Sequence, residues 1–505
     1  MLNRIKKYTL EIIVFICGMA VMVFELVGAR VLAPFMGASI IVWSALIGVI
    51  LACLSLGYWW GGRLADRQPD YKTFSMLIFG AALFVGLTAI FKLPILNFLQ
   101  KIKDIRLGAV LASLVLFGPG SFFLAMVSPY AVRLKLANLK TTGATVGNLY
   151  ALSTVGSILG TFLTGFVLLL YLGNTKILLL LAAALLLASI LAFRQRWLKT
   201  KIGAVIVLIF CLAASGILDG LFLPKGVIVI NSQYSDIFIA RDIDTFSNPE
   251  NGLGTGRPIL KMYTDSEVTQ SAMYLDNDNG VVYPYQKFFR LAGQFNPDLN
   301  KVLMLGGAAY AIPKDYFRNY PQGGMDVVEI DPKMTAAAKT YFDVPNNPRL
   351  TTYNQDARVF LNQNRKQYDA VFMDCFKTYI VPYQLTTQEA ARKISNALTD
   401  KGIVVINLVS SIQGDKGKFF RAELATYKSV FPQVYTFRVN VPMPDAVQNL
   451  ILVALKSKSP APLTSTDPEL SSYLAHIWDQ PVANDVPILT DDYAPVDQYT
   501  LANFK

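Results

Sequence analysis

Lys301-Val-Leu-Met-Leu-Gly-Gly307 decides how the second half of this chain folds. After the lysine the run is apolar without alternation, as in a strand covered on both faces. Its two closing glycines let a backbone turn approach a ligand closely. The same rhythm continues downstream. Asp326-Val-Val-Glu-Ile330, Arg349-Leu-Thr-Thr-Tyr353, Asp369-Ala-Val-Phe-Met373 and Gly402-Ile-Val-Val-Ile-Asn407 read as four more strands, with helix-like stretches such as Ala336-Ala-Ala338 behind Pro332 between them. Strand–helix alternation of this kind predicts a mostly parallel sheet with helices on both faces, here over 291–505. Upstream, Val227–Ile230, Ile237–Ala240 and Ile259–Tyr263, punctuated by Asp276-Asn-Asp-Asn-Gly280, predict a small antiparallel β domain over 223–290.

A parallel sheet presents its chemistry at the carboxyl ends of its strands. There the sequence places Gly306 and Gly307 at the first turn, Glu329 at the end of the second strand, Asp356 just past the third and Asp374 just past the fourth. Glu329 is spaced to accept hydrogen bonds from a ribose diol. Asp356 is placed to read an adenine amino group, and Asp374 faces the reacting centre. Each has a plainer reading as a turn glycine or a helix-capping acid; their order on successive strands argues for a nucleoside site.

The first 222 residues are of another kind. Apolar residues make up 53% of the whole chain and charged residues 16%, too apolar for a water-soluble protein of 505 residues. The excess lies in seven stretches, at about 9–31, 39–62, 73–91, 107–129, 147–172, 175–193 and 202–219. Each is near the ~20 residues a helix needs to cross hydrocarbon. An all-α transmembrane bundle of about seven helices is expected, its first span retained as an anchor because no small-residue cleavage site follows it. Residues 1–220 carry 19 Lys+Arg against 6 Asp+Glu, and residues 221–505 carry 27 against 29, so the net charge of +11 belongs to the membrane loops. A nucleic-acid partner is excluded on that distribution; the lipid bilayer is the expected one, with the protein multi-pass in the cell membrane. The positive-inside rule puts the N-terminus in the cytoplasm. Seven crossings would then put the soluble half on the opposite face, away from a cytosolic cofactor, and the sequence leaves its side open. Glu25 and Arg30 lie within the first span, as an ion pair or lining a substrate path. Gly57, Gly61 and Gly62 before Arg63 fit either a close-packed helix pair or the short basic loop of a transporter. Cysteines at 17, 53, 211 and 375 and a single histidine, His476, supply neither a disulfide framework nor a metal cluster, so no metal is expected.

Residues 226–440 resemble the spermidine synthase family of aminopropyltransferases. The matching pieces are Ser232-Gln-Tyr-Ser-Asp-Ile237, Gln270, Tyr285-Gln286, Leu305-Gly-Gly307, Val328-Glu-Ile-Asp-Pro332, Gln355-Asp-Ala357 and Asp374. With the apolar stretches in front and Leu489-Thr-Asp-Asp-Tyr-Ala-Pro-Val496 near the end, the whole chain resembles the membrane-fused spermidine synthase-like proteins. The resemblance implies a Rossmann-like, methyltransferase-type domain that takes decarboxylated S-adenosylmethionine. It implies Glu329 on ribose, Asp356 on adenine, Gln270 and Ala357 on the cofactor, and Asp374 with Tyr285 at the attacking amine. A homodimer is also an expectation from the family.

The departures fall on the amine side. Ala309 stands where soluble relatives carry an acid in the first turn, Gln286 where they carry His, and Lys377 where they carry a second Asp. A cation in place of that acid would oppose a diamine by several kcal/mol in a poorly solvated pocket. Asp236, Gln286, Asp491 and Asp492 are therefore the candidates to hold an amine. Tyr310, Tyr379 and Tyr383 either make cation–π contacts at the mouth or pack within loops. Three readings remain open: aminopropyl transfer to an amine such as putrescine, methyl transfer from S-adenosylmethionine, and a transporter or sensor that binds polyamine or nucleoside without reaction.

Overall fold

The computed structural model describes residues 8–36, 39–102, 104–136, 142–192, 226–245, 255–264, 268–276, 280–376, 381–439 and 444–500. The chain divides into two compact units, Met1–Lys225 with Asn231–Ser235, and Gly226–Ile230 with Asp236–Lys505.

In the first unit the apolar stretches form helices α1 (Thr9–Met36), α2 (Ile40–Arg67), α3 (Tyr71–Leu99), α4 (Ile105–Leu116), α5 (Gly118–Lys135), α6 (Thr142–Leu163) and α7 (Asn174–Ala192). Helix α6 runs on through a π-helical turn, Thr164–Leu168. Among the described residues five helices are long and apolar enough to cross a membrane, or six if α4 and α5, bent by 52°, are one broken span. That bend corrects the single helix expected at 107–129. Pro119, in the first turn of α5, has no N–H to continue the ladder, and Gly118 and Gly120 flank it. The seventh expected span, 202–219, lies outside the described residues.

Side-chain-free positions set the helix packing. A Cβ on Gly156 or Gly160 of α6 would come within 2.2 Å of the Phe15 carbonyl or 2.6 Å of the Met19 carbonyl of α1. On α2, Gly57 and Gly61 press in the same way on Phe122 and Met126 of α5, and Asp66 pairs with Arg133 at 3.2 Å. Close packing thus accounts for Gly57 and Gly61, whereas a Cβ on Gly62 would meet nothing within 4 Å. Glu25 and Arg30 do not pair with each other, because five residues along a helix point to different faces. The Arg30 guanidinium donates instead to the Ser232 carbonyl of the same unit.

The second unit holds two sheets. Strands β1 (Ile228–Asn231), β2 (Asp236–Ile243), β3 (Pro258–Thr264) and β4 (Val268–Tyr274) form one, in that order, with β2, β3 and β4 antiparallel. Ile259, Ala272, Tyr274 and Val282 make a small apolar cluster on it, but the sheet does not stand alone. Ile237, Ile239 and Met262 bury against Met334, Ala337 and Phe342 on or just past a helix of the larger fold, so no compact unit ends at residue 290. The larger sheet has seven strands: β5 (Lys301–Leu305), β6 (Gly324–Val328), β7 (Leu350–Tyr353), β8 (Tyr368–Met373), β9 (Leu398–Ser410), β10 (Gln433–Arg438) and β11 (Gln448–Leu455). Their order is β10-β11-β9-β8-β5-β6-β7; β9 to β7 are parallel, and β11 and β10 close one edge antiparallel. Helices α8 (Ala311–Asn319), α9 (Pro332–Tyr341), α10 (Ala357–Gln363), α11 (Gln388–Ala397) and α12 (Lys418–Lys428) provide the cover. Leu303, Leu305, Val371, Val404 and Ile406 supply one core face, and Val302, Met304, Phe372 and Val405 the other. This alternation within strands buried on both sides is what the unbroken apolar runs require.

Candidate active site

The exits of the parallel strands are laced together by backbone hydrogen bonds. Gly306 N–H donates to the Val328 carbonyl (2.9 Å), Glu329 N–H to Tyr353 (3.0 Å) and Asp374 N–H to Leu305 (3.0 Å). Gly306 has φ +90°, and a Cβ there would sit 2.5 Å from the Asp374 carbonyl oxygen. Only glycine fits this position, on conformation and on space alike. Ala308 (φ 44°) and Tyr310 (φ 60°) follow in the left-handed region, a strained turn at the sheet edge.

That turn is held by Glu329, which is almost fully buried. Its Oε2 accepts from Gly307 N–H (2.8 Å) and Ala308 N–H (3.1 Å), and its Oε1 from Asp331 N–H (3.0 Å). A carboxylate has about four acceptor positions, so it retains capacity for one further donor such as a ribose hydroxyl. Strand β6 ends at Val328, so Glu329 lies just past it rather than within it. Asp356 caps α10, its Oδ1 accepting from Arg358 N–H (2.8 Å) and Val359 N–H (3.0 Å), while Oδ2 accepts from Gln384 Nε2 at 3.3 Å. The plainer reading of this acid is therefore correct as far as it goes, and one oxygen still faces away from the helix. Ala357 is the buried first residue of α10.

At the next exit, Asp374 is gripped from both sides. The Tyr285 hydroxyl donates to Oδ2 at 3.0 Å, and Asn407 Nδ2 to Oδ1 at 2.9 Å. Asn449 Nδ2 on β11 in turn donates to Asn407 Oδ1 at 2.9 Å, which fixes the Asn407 amide with its N–H₂ toward the carboxylate. Burial pushes the Asp374 carboxyl above its usual range, partly offset by these two donors. Burial pushes the Tyr285 hydroxyl well up, and the adjacent Asp374 adds to it, so Tyr285 stays protonated and donating. Gln286 is buried and directs Nε2 to the Tyr285 hydroxyl at 3.5 Å, while its Oε1 is buried without a partner. Asn407, Asn449 and Gln384 were not singled out from the sequence. The one signal was Asn407, a polar residue closing an otherwise apolar strand.

Gln270 lies half-buried on β4, and Asp236 half-buried at the start of β2. The other two acids named for the amine, Asp491 and Asp492, lie near the C-terminus. Arg358 forks the Asp491 carboxylate at 3.0 and 2.5 Å and the Thr387 hydroxyl donates to it at 2.7 Å. Burial works against it, but these bonds outweigh burial and hold Asp491 below the usual carboxylate range. It is committed to pinning the C-terminal segment onto α10 and α11. Asp492 is exposed in the turn closed by Thr490 and Tyr493. Tyr310 is fully buried, its hydroxyl 3.1 Å from Thr352 Oγ1, which places it in the core rather than at a mouth. Lys377 and Tyr379 lie outside the described residues. Among the described residues no group of three or more His, Cys, Asp or Glu is placed to hold a metal ion.

Residues 285–466, which include Tyr285, the glycine turn, Glu329, Asp356 and Asp374, match the spermine/spermidine synthase domain. The chain carries a spermine/spermidine synthase domain. A polyamine aminopropyltransferase of Vibrio vulnificus is 27% identical over 253 residues, 46% of this chain and 80% of that one. Polyamine aminopropyltransferase 1 of Streptomyces coelicolor is 22% identical over 387 residues, 74% of this chain and 70% of its own, more than the part from residue 221 onward can supply. A probable spermidine synthase of Corynebacterium glutamicum, solved by crystallography, aligns with a TM-score of 0.41 at 21% identity, over 50% of this chain and 86% of its own.

Proposed function

We propose that the protein is a membrane-embedded aminopropyltransferase that moves the aminopropyl group of decarboxylated S-adenosylmethionine onto a primary amine. The observation that carries this reading is the Asp374 carboxylate held between Tyr285 and Asn407 beside the Gly306 turn. When bound, the nucleoside supplies a sulfonium-activated carbon and leaves as 5′-methylthioadenosine. Glu329 and Asp356 hold its ribose and adenine, and Gln270 lies on the neighbouring sheet. The acceptor arrives as an ammonium and must shed a proton before its lone pair can attack. Asp374 takes that proton, and its elevated carboxyl pKa makes it a better match for the task than an ordinary carboxylate. The new C–N bond forms as the C–S bond breaks with its electron pair going to sulfur, and the proton on Asp374 passes to water. Tyr285 keeps the carboxylate in place. The buried, unpartnered Oε1 of Gln286 is suited to accept an N–H from the same amine. The apolar helices support a multi-pass membrane location.

The test offers the purified full chain both sulfonium nucleosides with a panel of amines and reads products by mass. Aminopropylated amine is expected, falling on the order of 10²–10⁴-fold in Asp374→Asn. The rate should fall as pH drops through the raised Asp374 pKa, because the base must be ionised. A methylated product instead would assign the domain to methyl transfer. Binding without any product, unchanged in Asp374→Asn, would assign it to a sensor or transporter.

A further inference from the structure

Glu25 sits near the middle of α1, at the depth where a carboxylate in hydrocarbon is most costly. It is half-buried and has no hydrogen-bond or ion-pair partner among the described residues. Arg30 is turned away to the Ser232 carbonyl. Gly18, Glu25 and Gly28 stand seven and three residues apart and so share one face of α1. At Gly18 that face meets α6, where the Ser157 hydroxyl donates to the Gly18 carbonyl at 3.0 Å. At Gly28 it meets Leu46 of α2 and Phe117 between α4 and α5, 3.3 and 3.1 Å from where a Cβ would stand. Glu25 projects between these neighbours, and helical side chains lean toward the N-terminus, which brings it back along the flank of α6.

That flank carries two half-buried hydroxyls, Ser157 and, one turn on, Thr161. Ser157 shares its proton between the carbonyls of Gly18 and Ser153 (3.1 Å), and Thr161 donates to the Ser157 carbonyl at 2.9 Å. A hydroxyl has one proton and two lone pairs, so both oxygens are left able only to accept. The helices are irregular at the same level. Met19 meets Gly160, and one turn further α6 enters its π-helical turn, which packs on α1. Gly120, at the break between α4 and α5, presses on Phe24. Such turns and breaks within membrane helices gather at functional sites.

We propose that Glu25, with Ser157 and Thr161, forms an intramembrane site for an alkylammonium ion. A carboxylate and two acceptor-only oxygens match the three N–H donors of a primary ammonium. An anion would meet no donor there. The buried apolar side chains of Phe24, Leu46 and Phe117 beside the site suit a methylene chain better than a hydrated inorganic cation. The site gives the helical unit a role beyond anchoring, and it stands whether or not the second unit transfers an aminopropyl group.

The test titrates butylamine calorimetrically into the full chain in lipid nanodiscs without nucleoside, for wild type, Glu25→Gln, Thr161→Val and Asp374→Asn, with sodium chloride titrated in parallel. Butylamine binding is expected in wild type and in Asp374→Asn. It should weaken about tenfold or more in Glu25→Gln, as for loss of one charged contact, and by a smaller factor in Thr161→Val. Unchanged affinity in Glu25→Gln, a wild type that does not bind butylamine, or Glu25-dependent binding of sodium alone would overturn the assignment. So would a loss in Asp374→Asn as large as that in Glu25→Gln, which would place the amine in the second unit. A wild-type melting temperature shows that Glu25→Gln is folded; if it is not, Thr161→Val carries the test, and unchanged affinity there overturns the site.

Discussion

At the residue scale, several side chains of the second unit have their protons displaced by burial. Glu423 is the clearest case, its carboxyl pushed well above the usual range by burial alone. In the native state it keeps a proton that the unfolded chain loses above about pH 4.3. Over that window the unfolded state binds fewer protons, so stability declines as pH rises, by about 1.4 kcal/mol per unit for one group, until the native pKa is passed. Glu423→Gln, which cannot ionise, should therefore melt higher than wild type at pH 8 and no higher at pH 4; a thermal shift series in detergent measures this. The glycines and strand-end acids were legible because their types and spacing are fixed by the turn geometry. Glu423 was not, because its burial depends on which strand α12 covers. Asn449 escaped for a related reason, since its role exists only where β11 lies antiparallel beside β9.

At the element scale, periodicity found every strand of the parallel sheet, while boundaries moved where a side chain rather than the ladder ends the strand. Strand β6 stops two residues before Ile330 because Glu329 turns back to the glycine loop. In the helical unit, apolar length located the spans but not the break between α4 and α5, which depends on three consecutive residues, Gly118-Pro119-Gly120. Helices α1 and α6 pack parallel: Phe15 meets Gly156 and Met19 meets Gly160, so both numbers climb together. Gly156→Val would drive a side chain into the Phe15 backbone, at a cost of about 1–3 kcal/mol or more for an overpacked contact. A lower melting temperature of the solubilised chain is expected, with 5′-methylthioadenosine affinity unchanged because the nucleoside residues lie in the other unit. Loss of nucleoside binding in a still-folded variant would contradict that separation.

At the scale of the whole molecule, two cores of different chemistry are joined in one chain. One is a bundle whose outer surface is apolar, with Leu51, Leu56, Phe98, Phe162 and Phe166 all exposed. The other buries its apolar residues on both faces of a sheet. The charge asymmetry between the halves announced this division in the sequence; the absence of a boundary at 290 was not visible, because the apolar residues that join the four-stranded sheet to α9 are separated by about a hundred positions. Residues 226–505 expressed alone should be water-soluble, melt cooperatively and bind 5′-methylthioadenosine as the full chain does. Aggregation of that piece, or loss of nucleoside affinity, would show that it depends on the helical half.

The absence of room for even a methyl group between Gly306 and the carbonyl behind Asp374 has a thermodynamic consequence. On the proposed reading, the loop that would grip one ligand leans directly on the residue that would meet the other, so occupancy at either place would be felt as a force at its neighbour. Affinities for nucleoside and amine then cannot be independent, and whatever factor the first ligand imposes on the second is returned unchanged in the opposite order of addition.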